Sequence, residues 1–142
     1  MQHIVDFGFE KITFSGGEPL LCPFLPNLLK IAKKGGMTTA IVTNGTLLSD
    51  KWLKDNKEHL DWIAISIDSI NQKSNLESGR NLRGKVISES EYIELLKKIK
   101  NYGYKLKINT VVSRYNVSED MNSFINQVQP ERWKIFQALP IE

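Results

Sequence analysis

The feature that most constrains this chain is a regular alternation of short β-branched runs with amphipathic stretches. Five β-rich runs stand out: "KITFSG" (11–16), "TTAIVTNG" (38–45), "WIAISIDS" (62–69), "LKINTVV" (106–112) and "WKIFQALP" (133–140). Between them, "PNLLKIAKKGG" (26–36) places Leu28, Leu29, Ile31 and Ala32 on one face and ends in a glycine stop. "SDKWLKDNKEHLD" (49–61) opens on a Ser/Asp cap. "SESEYIELLKKIKNYGY" (88–104) carries an apolar stripe of Tyr92, Ile93, Leu95, Leu96 and Ile99, with acids early and lysines late. "SEDMNSFINQV" (118–128) begins Ser-x-Asp and spaces Met121, Phe124, Ile125 and Val128 at helical intervals. This order predicts an α/β fold, a parallel sheet with alternating crossover helices. The near-continuous apolar strands predict cover on both faces of that sheet.

A closed eight-unit barrel needs about 200 residues or more. A chain of 142 residues with five strands therefore predicts one domain, either an open sheet or an incomplete barrel. "MQHIVDFGFE" reads as the tail of a helix, with Ile4, Val5 and Phe9 apolar, so something upstream is expected. The chain also stops abruptly at Glu142, just after a strand.

Composition enters as a set of exclusions. A net charge of +3 favours anionic small ligands but is too weak for nucleic acid or a membrane surface. No apolar run approaches the roughly 18 residues of a spanning helix, and no signal-peptide pattern is present, so a cytoplasmic protein is expected. The single cysteine, Cys22, rules out an internal disulfide or a set of thiolate ligands within these residues. Neither G-x-G-x-x-G nor G-x-x-x-x-G-K-[ST] occurs. His3 and His59 lie far apart on helical segments and read as surface or packing residues.

In parallel α/β sheets, ligands bind at the carboxyl ends of the strands. Those ends here carry Ser15-Gly16-Gly17-Glu18, Thr43-Asn44-Gly45, Ser66-x-Asp68-Ser69, Asn109-Thr110 and Gln137. Five polar ends on one rim point to a ligand site. In "ITFSGGEPLL" the two glycines bare the backbone for close approach, Glu18 adds a carboxylate and Pro19 fixes the exit. Lys11, Lys107 and Lys134, with Arg132 beside the last, interrupt or flank apolar strands. Unpaired buried lysines cost several kcal/mol or lose their charge, so their convergence fits a polyphosphate. The polar stretch 71–85, with Arg80 and the basic "LRGK" (82–85), reads as a loop that closes on ligand. Trp133, Phe136 and Leu139 are expected in the core, and Cys22 as a packed or idle thiol.

"FSGGEP", "TNG" and "ISIDS" at successive strand ends resemble the radical S-adenosylmethionine (SAM) superfamily. Within it, "KITFSGGEPLL", "KINTVVSRYNVSEDM" and "PERWKIFQALPIE" are similar to the viperin family of antiviral nucleotide dehydratases, over essentially the whole chain. The resemblance implies five strands of a partial (β/α)6-type barrel. It also implies SAM contacts at Gly16, Gly17, Glu18, Pro19, Asn44, Ser66, Arg80 and Asn109. It assigns a nucleoside triphosphate to Lys11, Thr13, Ser15, Lys107, Arg132 and Lys134. Such enzymes cleave SAM to a 5′-deoxyadenosyl radical, which abstracts the 4′ hydrogen of CTP or another nucleotide. Loss of water gives the 3′-deoxy-3′,4′-didehydro product. Thr13 stands where vertebrate members have Asn, which leaves the nucleobase open.

The family binds a 4Fe-4S cluster through C-x-x-x-C-x-x-C and draws on an electron donor. No such motif occurs here, so an incomplete core domain over 1–142 is expected, lacking the cluster loop, the first strand and the C-terminal tail. The missing strand would leave the edge of "KITFSG" open to aggregation. As written, such a chain is expected to perform no radical chemistry. Two alternatives remain: a cluster-free SAM- or nucleotide-binding module, and another radical SAM enzyme such as a peptide maturase.

Overall fold

The computed structural model describes residues 2–81 and 85–139, so the "LRGK" run and the end of the fifth apolar run lie largely outside it. Five parallel strands form one sheet in chain order: β1 (Lys11–Phe14), β2 (Thr38–Thr43), β3 (Trp62–Ser66), β4 (Lys105–Val112) and β5 (Arg132–Gln137). The helices are α1 (Gln2–Asp6), α2 (Leu25–Lys34), α3 (Asp50–Asn56), α4 (Gln72–Glu77), α5 (Glu89–Asn101) and α6 (Asn122–Val128). The strands curl into a half-barrel.

Because strand order follows chain order, right-handed crossovers bring α2, α3, α5 and α6 to the same side. That side holds the apolar core. Leu29 of α2, Leu53 of α3, Leu96 of α5 and Phe124 of α6 pack onto Ile41, Ile63, Ile65, Leu106 and Ile108. Each such fully buried Leu or Ile contributes roughly 1.5–3 kcal/mol.

The expectation of cover on both faces is therefore corrected. In β4 the even positions Leu106, Ile108 and Thr110 are buried, whereas Lys105, Lys107 and Asn109 face the open inner side. The apolar run reflects one strongly hydrophobic face and the aliphatic stems of lysine on the other.

Local signals place most helices. Ser88 and Glu91 form a full capping box at the start of α5, and Ser49 caps α3. Three expectations change. Residues 72–77, expected in a loop, form α4, capped by Asn71 Oδ1. The start of α6 moves to Asn122, and Ser118 does not cap it. Ile31 is exposed, because the buried stripe of α2 runs through Leu25, Leu29 and Ala32.

At the amino ends of the strands, Asp61 joins three elements. Lys33 Nζ of α2 lies 2.6 Å from Asp61 Oδ1, and the Thr39 N–H donates to Oδ2 at 2.9 Å. Burial opposes ionisation here, but these bonds outweigh it and hold the carboxyl below its ordinary value. In the C-terminal strand, Trp133 packs against the core and donates Nε1–H to the Thr110 hydroxyl at 3.0 Å. Phe136 and Leu139 are exposed, contrary to expectation: Phe136 shares the open inner face with Lys134, and Leu139 lies beyond β5.

Candidate functional site

The strand register stacks the inner face in rows. Thr13, Ala40, Trp62 and Lys105 form one row, Val42, Ala64, Lys107 and Arg132 the next. Above them Ser66, Asn109 and Lys134 share a row at the carboxyl end. Small side chains at Ala40 and Ala64 keep the middle of this face low, and the long cations rise around it.

The cations converge on a hollow of about 60 Å³, lined by Lys11, Thr13, Trp62, Lys107 and Arg132 with the floor of β2 and β3. Partial burial pushes the Lys107 ammonium below its ordinary pKa, and the charges of Lys134, Lys11 and Arg132 push it further. Among the described residues, none of these cations is ion-paired with a carboxylate. Their field is open to an anion. Lys107 is half-buried and the other cations exposed, so they face this hollow from its walls instead of being sunk in the core.

The carboxyl-end rim is organised differently. Gly16 and Gly17 have φ of +94° and +43°, and a Cβ on either would meet nothing within 4 Å. Glycine is required there by backbone conformation, with open space above it. Glu18, an expected SAM contact, is also bonded to the scaffold through both carboxylate oxygens. Oε1 accepts from the Thr43 hydroxyl at 2.7 Å and the Leu20 N–H at 3.1 Å, and Oε2 from the Asn44 N–H at 3.0 Å. Pro19 is buried at the start of the short 3-10 turn Pro19–Leu21.

Asn44 accepts from the Thr46 N–H and hydroxyl, which shapes the turn after β2. It shares a hollow of about 210 Å³ with Arg80 and Tyr92. Arg80 is fixed by Asp68, which takes Nε–H at 2.9 Å and a second bond from Nη2. The other Asp68 oxygen accepts the Val111 N–H at 2.9 Å. Ser66 and Asn109 sit side by side, and the Asn109 Oδ1 is buried without a hydrogen-bond partner. Ser15 is exposed at the end of β1 and lies outside the cation hollow.

Sequence reasoning missed Trp62 and Lys105, and placed Thr43 and Asp68 on the rim without their partners. The first two were legible: period-two alternation puts Lys105 on the face of Lys107, and Trp62 on that of Ala64. The partners of Arg80 and Glu18 depend on contacts across strands.

A parallel half-barrel with polar and cationic groups along its inner face and carboxyl rim is the arrangement in which α/β folds place their small-molecule sites. Residues 1–128 match the Radical SAM superfamily, and the chain belongs to that family. It is 54% identical to an S-adenosylmethionine-dependent nucleotide dehydratase of Lacinutrix mariniflava, covering 100% of this chain and 30% of the relative. With the corresponding protein of Flammeovirga pacifica it shares 50% identity over 99% of this chain and 49% of the relative. The chain thus spans a third to a half of these relatives. The structure of Streptococcus suis SuiB bound to S-adenosylmethionine has the same fold, with a TM-score of 0.75 at 20% identity over 99% of this chain and 32% of that one.

The superfamily works with SAM and a 4Fe-4S cluster. The residues present fit the first: an unmatched buried acceptor on Asn109, a bare Gly-Gly backbone and an anchored Arg80 border one rim. They do not fit the cluster. Cys22 is the single cysteine and is exposed, and no group of three His, Cys, Asp or Glu suited to a metal occurs among the described residues. No described helix is long and apolar enough to cross a membrane.

Proposed function

We propose that this segment binds SAM at the carboxyl rim and a nucleoside triphosphate on the inner face, as part of an enzyme that dehydrates the nucleotide. The observation that carries the reading is the cation hollow, where Lys11, Lys107 and Arg132 meet unpaired, with Lys134 close enough to depress Lys107. A triphosphate brings three to four negative charges and many acceptor oxygens, which offset that like-charge crowding. The relatives named nucleotide dehydratases support the reaction class.

In this reading the Gly16-Gly17 backbone and the Ser66–Asn109 pair receive the amino-acid part of SAM. Glu18 holds the loop in place for it, and Arg80, with Asn44, borders the remainder. SAM would supply the hydrogen-abstracting group only with an electron delivered from a reduced iron–sulfur cluster held outside these residues. The chain's own residues bind and orient. Lys11, Lys107, Arg132 and Lys134 fix the phosphates, so the sugar is directed up the sheet toward the rim, with Thr13 and Ser15 along β1. No step is assigned to the cluster, for which this segment has no ligand set. We place the enzyme in the cytoplasm, where nucleotides, SAM and an electron donor are at hand. Against the peptide-maturase alternative, a cluster of unpaired cations serves a triphosphate better than a peptide.

Calorimetric titration of the chain with SAM and with each of CTP, GTP, UTP and ATP tests the reading. It predicts a saturable heat for SAM and for at least one nucleotide. Absence of nucleotide binding, or equal binding by a Lys107→Met, Lys134→Ala chain, overturns it.

A further inference from the structure

Trp62 lies at the centre of the cation hollow, yet it is not part of the apolar core, which occupies the opposite face. Three cations from three strands stand over its ring. Lys105 Nζ is 5.5 Å from the ring centroid, Lys11 Nζ 5.8 Å and the Arg132 guanidinium 5.9 Å. Its neighbours in the row are the small Ala40 and the rising Lys105, so the indole is the one large surface there.

Like charges on flexible stems repel and disperse unless something holds them. Elsewhere in this protein carboxylates do so, as Asp61 holds Lys33 and Asp68 holds Arg80. The inner-face cations have no such partner among the described residues. A carboxylate there would also compete with an incoming phosphate. An indole face attracts cations through its quadrupole without neutralising them, which leaves their field available.

We propose that Trp62 is a positioning residue of the triphosphate site, gathering Lys11, Lys105 and Arg132 around one ring before the anion arrives. The inference rests on the triphosphate reading above and deepens it. It also brings Lys105, from the same row, into the set of cations that meets the phosphates. Pre-gathered side chains lose less freedom on binding, so the effect appears in affinity.

The test is calorimetric titration of the full chain with inorganic tripolyphosphate, which carries the charge without base or sugar. Trp62→Leu is expected to weaken binding about tenfold, whereas Trp62→Phe, which keeps a ring face, stays within about threefold of wild type. A chain grown with fluorinated tryptophan keeps the shape of the ring but reduces its negative face, and is expected to bind progressively more weakly as fluorines are added. Trp52 and Trp133 pack against the core on the other face, so their fluorination leaves the anion site alone. If Trp62→Leu binds like wild type, or if fluorination leaves affinity unchanged, the role of Trp62 is overturned while the triphosphate reading stands. Should Trp62→Leu fail to fold, the fluorinated series decides. If wild type itself ignores tripolyphosphate, the triphosphate reading falls and the Trp62 role with it.

Discussion

The Glu18 carboxylate accepts a hydrogen bond from the Thr43 hydroxyl at 2.7 Å, joining the glycine loop after β1 to the end of β2. The Thr43 oxygen in turn accepts the Gly45 N–H at 3.0 Å, so two strand ends form one bonded unit. A charge-assisted bond of this kind contributes about 1.5–3 kcal/mol, and removing one partner leaves the other unsatisfied.

Thr43→Val and Glu18→Gln are each expected to destabilise the chain by about 1–2 kcal/mol. In a double-mutant cycle by chemical denaturation, the pair should show a coupling energy of about 1 kcal/mol. Both variants should lose SAM affinity, because the loop is no longer held. Additive effects with no coupling would show that the bond does not organise the rim.

Asp68 holds Arg80 with one oxygen and the Val111 N–H with the other. Asp68→Ala is expected to raise the SAM dissociation constant by about tenfold, the value of one charge-assisted bond. Tripolyphosphate binding should stay within a factor of two or so, since Asp68 is remote from the cation hollow. Equal losses for both ligands would mean that the two sites are not separate.

Lys107 has its folded pKa below the ordinary lysine value of 10.5, first through partial burial and then through its cationic neighbours. In that window the unfolded chain binds more protons than the folded one, so stability rises with pH toward 10.5. Phosphate binding needs the charged form and falls over the same range. Lys107→Met should flatten the Lys107 contribution to both trends and weaken tripolyphosphate binding by about tenfold or more. Thermal melts and titrations across the alkaline range read the two directions independently.

Asp61 has the opposite sign. Its folded pKa lies below the ordinary 3.8, despite burial, because of Lys33 and Thr39. The stabilisation is present above pH 3.8 and is lost as pH falls through the lower folded value. Asp61→Asn is expected to cost about 1–2 kcal/mol near neutral pH and to reduce the acid sensitivity of the melting temperature. An unchanged acid profile would locate that sensitivity in other carboxylates.

Much of this fold was legible before any coordinates. The α/β alternation, the glycine loop, the capping of α3 by Ser49 and the lysines on β1, β4 and β5 all rest on local spacing. Such signals belong to the chain because backbone hydrogen bonding and side-chain period act over a few residues. The expected loop at 72–77 failed because a polar stretch with a good Asn71 cap folds as readily into a short helix as into a turn.

Other features were decided only by tertiary structure. That the apolar strands have one covered face follows from crossovers that all return to the same side. That Phe136 is exposed follows from the register that puts it on the open inner face with Lys134. Glu18 meets Thr43 across 25 residues, and Lys33 meets Asp61 across 28. Trp62 reaches cations on three strands only because the parallel register stacks them in adjacent rows. Spacing along the chain assigns a residue to a face. Register between strands, set by the packing of the whole sheet, assigns its neighbours.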